Sequence, residues 1–132
     1  MRIADTGHTL QQGLEALARF ADYHRLSQIA LSHTQVALDE IVTNIFCHGY
    51  RGRAGAVELA VGLREDFLEL RISDESPPFN LLEQAEPDLD RAIEDRPIGG
   101  LGIYLVRSLI DDIEYSRQGG KNLLLLRKKV VD

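Results

Sequence analysis

The stretch ALDEIVTNIFCHGY, residues 37–50, sets two kinds of residue on one helix. Ala37, Ile41 and Ile45 recur at helical spacing and form a stripe suited to a core. Glu40 and Asn44 stand one turn apart on the adjoining face, nearly above one another. A carboxylate and a carboxamide at that margin are either a solvated helix edge or part of a pocket wall.

Upstream, Leu10, Leu14, Leu17, Ala18 and Ala21 mark a first amphipathic helix over Thr9–Tyr23, and a turn around Arg25–Ser27 leads into the second. HGYRGRAG then breaks helical continuity with glycines. In AVELAVGL, Val57, Leu59, Val61 and Leu63 alternate strictly. After RED, FLELRISD places Leu68, Leu70 and Ile72 on one face. The same period-two count carries Asp74 onto that apolar face, where a carboxylate is costly without a partner. Pro77 and Pro78 end the strand.

Residues 79–98 follow as a long acidic segment, with Glu83, Glu86, Asp88, Asp90, Glu94 and Asp95 against Arg91 and Arg96. A connection this long is usually functional or mobile. GGLG opens a third helix, whose expected buried face is Leu105, Val106, Leu109 and Ile110. The chain closes with DIEYSR, a QGGKN turn and the strand LLLLRKKVV. This order of elements predicts an α+β two-layer α/β sandwich. Three helices pack on one face of a mixed, mostly antiparallel sheet, and the other face is solvated.

A chain of 132 residues fits a single domain over 1–132. A net charge of −6 argues against direct nucleic-acid binding, which needs clustered Lys and Arg. The one dense basic run, Arg127-Lys128-Lys129, reads as a solvated strand end. The single cysteine, Cys47, rules out a disulfide framework and fits a reducing, cytoplasmic location. No stretch reaches the roughly 18 apolar residues of a membrane span, and no signal-peptide pattern opens the chain.

Each candidate has an ordinary reading when taken alone. Glu40 and Asn44 read as helix edge, Asp74 as a turn former and GGLG as a flexible start to a helix. Cys47 and His48 read as packed helix residues without zinc spacing. Together they converge on a nucleotide. Asn44 offers an amide oxygen suited to magnesium, which takes few protein ligands beside phosphates and waters. Glu40 is placed to take a proton from an attacking hydroxyl. Asp74, a buried acceptor, suits the exocyclic amine of adenine, and a glycine-rich helix start suits phosphate. There is no G-x-x-x-x-G-K-[ST] loop, and the glycines lack G-x-G-x-x-G spacing.

DEIVTNIFCHGY, SDESPPFN and RPIGGLGIYLVRSLIDDIEY…GGKN, in this order and spacing, resemble the GHKL ATPase superfamily, whose fold is the histidine-kinase-like ATPase or Bergerat fold. More closely they resemble the anti-sigma-factor serine/threonine kinases of the RsbW/SpoIIAB type, from about residue 8 to the end. The resemblance implies Glu40 as general base, Asn44 as magnesium ligand and Asp74 as the adenine contact. It places Ser76, Gly100, Leu101, Gly102 and Ile103 among the nucleotide-binding positions and makes residues 79–98 a mobile ATP lid. It implies ATP and Mg2+ as cofactors. The implied partners are a STAS-type anti-sigma-factor antagonist and a sigma factor, with homodimers common among relatives.

Three positions depart from the family pattern. Ser76 stands where relatives carry the glycine of Asp-x-Gly, and serine tolerates positive φ poorly. Leu125 is expected where relatives carry a threonine near the adenine. MRIADTG leaves little room for the N-terminal strand of relatives. Three functions follow: a kinase working by partner switching, a non-catalytic partner-binding module with a degraded pocket, and an ATP hydrolase or histidine-kinase half. The last lacks the residues for a phosphoacceptor or transducer domain.

Overall fold

The computed structural model describes residues 2–3, 8–83 and 100–130. The elements are β1 (Arg2–Ile3), α1 (His8–Tyr23), α2 (Gln28–Asn44), β2 (Val57–Arg64), β3 (Phe67–Asp74), α3 (Gly100–Leu109), β4 (Asp112–Gln118) and β5 (Lys121–Lys129). A π-helical turn, Ile45–Gly49, extends α2, and a 3-10 turn covers Leu81–Glu83. The helix and strand order expected after α1 is the one observed.

The sheet runs β1-β2-β3-β5-β4, and every neighbouring pair is antiparallel. This corrects the expectation of a mixed sheet. β3 and β4 run the same way, but β5 folds back between them, antiparallel to both, so no parallel pair forms. The two-residue β1 is a second correction: Arg2 pairs with Glu58 and Ile3 with Val57. The short N-terminus therefore does supply a strand, reduced to two residue pairs.

Local chemistry fixes the element ends. Ser27 Oγ accepts from Ala30 N at 3.0 Å and caps α2. At the other end, Tyr50 N donates to Ile45 O and Gly52 N to Phe46 O, with Arg51 at φ +54 and Gly52 at φ +77. That wrap through left-handed backbone is how a helix satisfies its last carbonyls. Gly119 and Gly120, at φ +56 and +77, form the two-residue turn joining β4 to β5. Both positions need left-handed backbone there, which glycine adopts without strain.

The core lies between the helices and the inner sheet face. Ala37, Leu38, Ile41, Val42 and Ile45 of the opening stretch are at most 2% exposed. They pack with Leu68, Leu70 and Ile72 of β3, Leu124 and Leu126 of β5, and Val106 of α3. α2 is central, in contact with both α1 and α3. In α3 the buried stripe is Ile103, Val106 and Ile110, with Leu109 half-buried, while Leu105 is 40% exposed. The expectation for Leu105 fails because the buried stripe follows Ile103, Val106 and Ile110 at i, i+3 and i+7, and Leu105 lies about 100° around the helix from Val106. Leu63 is also 40% exposed, next to the β2–β3 turn.

On the outer sheet face, Arg127 donates to Glu69 at 2.9 Å and to Asp112 at 2.7 Å, strand to strand. The hydrogen bond to Glu69 first, then that to Asp112, holds the guanidinium above its usual pKa. Lys128 Nζ donates to Leu109 O at 2.7 Å, tying the end of α3 to β5. Among the described residues no helix is long and apolar enough to cross a membrane.

Candidate functional site

α2 carries the polar seam along one side of its buried stripe. Asn44 is 6% exposed and Glu40 half-buried. Asn44 Nδ2 donates to the Glu40 carbonyl at 2.7 Å. With Nδ2 turned to the helix, the carboxamide has Oδ1 to offer outward.

The start of α3 meets this seam. A Cβ built on Gly102 would press into Glu40 Oε2, well inside contact distance, and would lie 3.2 Å from Glu40 Cδ and 3.9 Å from Asn44 Nδ2. Glu40, Asn44 and Gly102, three positions spread over 62 places in the chain, therefore adjoin. Glycine is the residue that lets the helix start come this close. Gly100 is the first residue of α3 and Leu101 the second. Ile103 is 3% exposed and belongs to the core cluster, so any ligand contact it makes comes from its backbone.

β3 carries Asp74, 5% exposed, to the inner face at the end of the strand, where the period-two count places it. Its Oδ1 accepts from Ser76 N at 2.9 Å, Ser76 Oγ at 2.5 Å and Asn122 Nδ2 at 3.0 Å. The partner that a buried carboxylate needs is thus supplied from the next loop and the neighbouring strand. Ser76, 1% exposed, is not among the residues with positive φ. Its backbone is unstrained at the glycine's place, and its hydroxyl becomes a ligand of Asp74.

Leu125 is not beside this site. β5 turns Asn122, Leu124 and Leu126 inward, so Leu125 faces the outer side of the sheet, opposite Arg71. The residue paired with Asp74 is Asn122. The alternation that located Asp74, applied to β5, would have found it: a polar side chain continuing the inward row of Leu124 and Leu126.

The π-helical turn joins the two halves of the site. Gly49, five residues past Asn44, lies against Ser76: a Cβ there would be 2.8 Å from Ser76 Oγ and 3.7 Å from the Phe79 ring. Such a bulge in an α-helix often accompanies function. Beyond it, Tyr50 OH donates to Ala56 O at 2.6 Å and accepts from Glu75 N at 2.9 Å, pinning the loop after β3 to the loop before β2.

A cavity of about 500 Å3 opens here, walled by His48, Gly49, Arg51, Arg53, Ser76 and Phe79 among others. Asp74 borders a second one of about 230 Å3, with Tyr50, Ala56 and Lys121. Cys47 and His48 are exposed. Among the described residues no group of three or more His, Cys, Asp or Glu could hold a metal. Of the expected lid, Phe79 and Asn80 are half-buried and Leu81 is 1% exposed. Residues 84–98 lie outside the described residues.

Comparison with known proteins shows the family. The sequence profile described as "Histidine kinase-like ATPase domain" matches residues 3–128. "Serine-protein kinase RsbW" of Bacillus mycoides (strain KBAB4) is 34% identical over 97 residues, covering 70% of this chain and 61% of that protein. The proteins of the same name from Bacillus cereus (strain Q1) and Bacillus thuringiensis (strain Al Hakam) are 34% and 33% identical, with the same coverage. The chain thus spans 61% of the length of these relatives. The resemblance carried by the three motifs and the observed α+β sandwich lead to one conclusion. The chain belongs to the histidine kinase-like ATPase domain family.

Proposed function

We propose that this chain, residues 1–132 acting as one unit, is an ATP-binding anti-sigma regulator with serine/threonine kinase activity. Its substrate is a STAS-type anti-sigma-factor antagonist in the cytoplasm, and its unphosphorylated alternative partner is a sigma factor. A homodimer is compatible with this reading. The observation that carries it is the packing of Gly102 against Glu40 and Asn44. A glycine-rich helix start offers backbone amides to phosphate, and here it abuts a carboxylate and a carboxamide. Relatives named serine-protein kinases support the reaction class.

In this reading Glu40 accepts the proton of a partner serine or threonine hydroxyl as its oxygen attacks the γ-phosphorus. The bond from that phosphorus to the β–γ bridging oxygen breaks, and ADP carries away the electron pair. The amides at Gly100–Ile103 receive the phosphate oxygens. Asn44 fits magnesium through Oδ1, because a hard cation takes oxygen ligands and its amide nitrogen is already engaged. The metal would supply charge neutralisation at the phosphates. Asp74 accepts a hydrogen bond from the adenine amine, and Ser76 borders the base.

A second reading, the partner-binding module, is favoured by one observation: Ser76 Oγ, itself buried, already occupies Asp74 Oδ1. Calorimetric titration with Mg-ATP and transfer of labelled γ-phosphate to a STAS-type antagonist separate the two. Binding with transfer, and binding weakened by about 1.5–3 kcal/mol in Asp74→Ala, is the expected result. Absence of binding at millimolar ATP removes the kinase reading.

A further inference from the structure

Asn122 is 3% exposed and faces Asp74 across the β3–β5 ladder. The two N–H groups of its Nδ2 are shared among Asp74 Oδ1 at 3.0 Å, Pro77 O at 3.1 Å, Ser76 Oγ at 3.2 Å and Ser76 O at 3.3 Å. Its Oδ1 accepts from Tyr115 OH at 2.5 Å and from Phe79 N at 3.2 Å. Arg117 Nη1 adds a bond to Ser76 O at 2.7 Å. The amide has only one workable orientation. Turned over, it would aim its oxygen at the Asp74 carboxylate and its NH2 at the Phe79 N–H.

The consequence is a carboxylate with two unlike oxygens. Three donors converge on Asp74 Oδ1, whereas among the described residues no donor is recorded for Oδ2. Oδ2 is therefore the acceptor left for a ligand.

We propose that Asn122 is a positioning residue that aims Asp74 Oδ2 at the nucleobase, and that it thereby sets a preference for 6-amino over 6-oxo purines. This rests on the reading of Asp74 as the base acceptor. An oxygen fixed as an acceptor takes an exocyclic N–H and repels the O6 of guanine. Freed from Asn122, the carboxylate can rotate about χ2, a soft torsion, and its discrimination falls. Ser76 alone cannot hold it, because both of its donors come from the single loop that Asn122 anchors through Ser76 O and Pro77 O.

The test compares ATP and GTP affinities by calorimetry with magnesium present, for the wild type, Asn122→Leu and Tyr115→Phe. Leucine keeps the volume and removes every polar atom. Phenylalanine removes one donor to the amide without touching Asp74. The expected result is an ATP over GTP preference that shrinks roughly 10- to 100-fold in Asn122→Leu, by the loss of ATP binding. A smaller shrinkage in the same direction is expected in Tyr115→Phe.

A purely structural role would weaken both nucleotides together and leave the ratio unchanged, which overturns the proposal while nucleotide binding stands. If Asn122→Leu does not fold, an unchanged ratio in Tyr115→Phe overturns it equally. A wild type that binds ATP without any preference over GTP also overturns it. A wild type that binds neither overturns both the proposal and the reading it rests on.

Discussion

Gly102→Ala separates the catalytic arrangement from the fold. The added methyl would press into Glu40 Oε2 and come within 3.2 Å of Glu40 Cδ. To restore van der Waals distance the carboxylate must retreat by roughly 1 Å. The group that yields is the far end of a flexible side chain, so the cost is that of an imperfect rotamer, about 0.5–1.5 kcal/mol. Alanine in place of glycine in a helix returns about 0.5–1 kcal/mol. The two nearly cancel, and the Tm should stay within about 4 °C of the wild type.

Phosphoryl transfer responds differently. A base misplaced by about 1 Å costs on the order of 10²-fold. The assay is transfer of labelled γ-phosphate to the antagonist, beside nucleotide titration and a thermal melt. On a Glu40→Gln background the same alanine should cost little more, because both changes act through one group. Wild-type transfer by a folded Gly102→Ala protein would refute the reasoning. So would full additivity of the two substitutions.

Four further substitutions can be checked. Glu40→Gln should keep ATP and lose about 10²–10⁴-fold in transfer, whereas Asn44→Ala should abolish the magnesium-dependent part of binding; titrations with and without the metal distinguish them. Gly55→Ala should destabilise by about 1–3 kcal/mol in urea denaturation. Its methyl would enter the Tyr50 ring, which cannot move aside while its hydroxyl is bonded to Ala56 and Glu75. Leu38→Ala, at a position 0% exposed, should cost about 2–5 kcal/mol by the same measurement, with an unchanged ATP to GTP preference.

Much of this protein is written in local periodicity. The helical count over residues 37–50 separates the core stripe of Ala37, Ile41 and Ile45 from the seam of Glu40 and Asn44, because side-chain direction follows a fixed turn angle. Period-two alternation likewise puts Asp74 on the buried face of β3. Strand order is another matter. Nothing local in β5 says that it inserts between β3 and β4, so a mixed sheet became an antiparallel one only when the chain closed. Alternation along β5 turns Asn122 inward and Leu125 outward, but only the insertion beside β3 sets Asn122 opposite Asp74.

The reach of Gly102 into Glu40 belongs to the tertiary level as well. A glycine shows that close approach is permitted, and only the packing of α3 on α2 shows what approaches. The sequence determined the buried stripe of α2 and the inward rows of β3 and β5, and which polar groups would be left among them. The tertiary structure decided which of those groups meet, since hydrogen-bond partners 48 residues apart, such as Asp74 and Asn122, are set by topology and not by spacing along the chain.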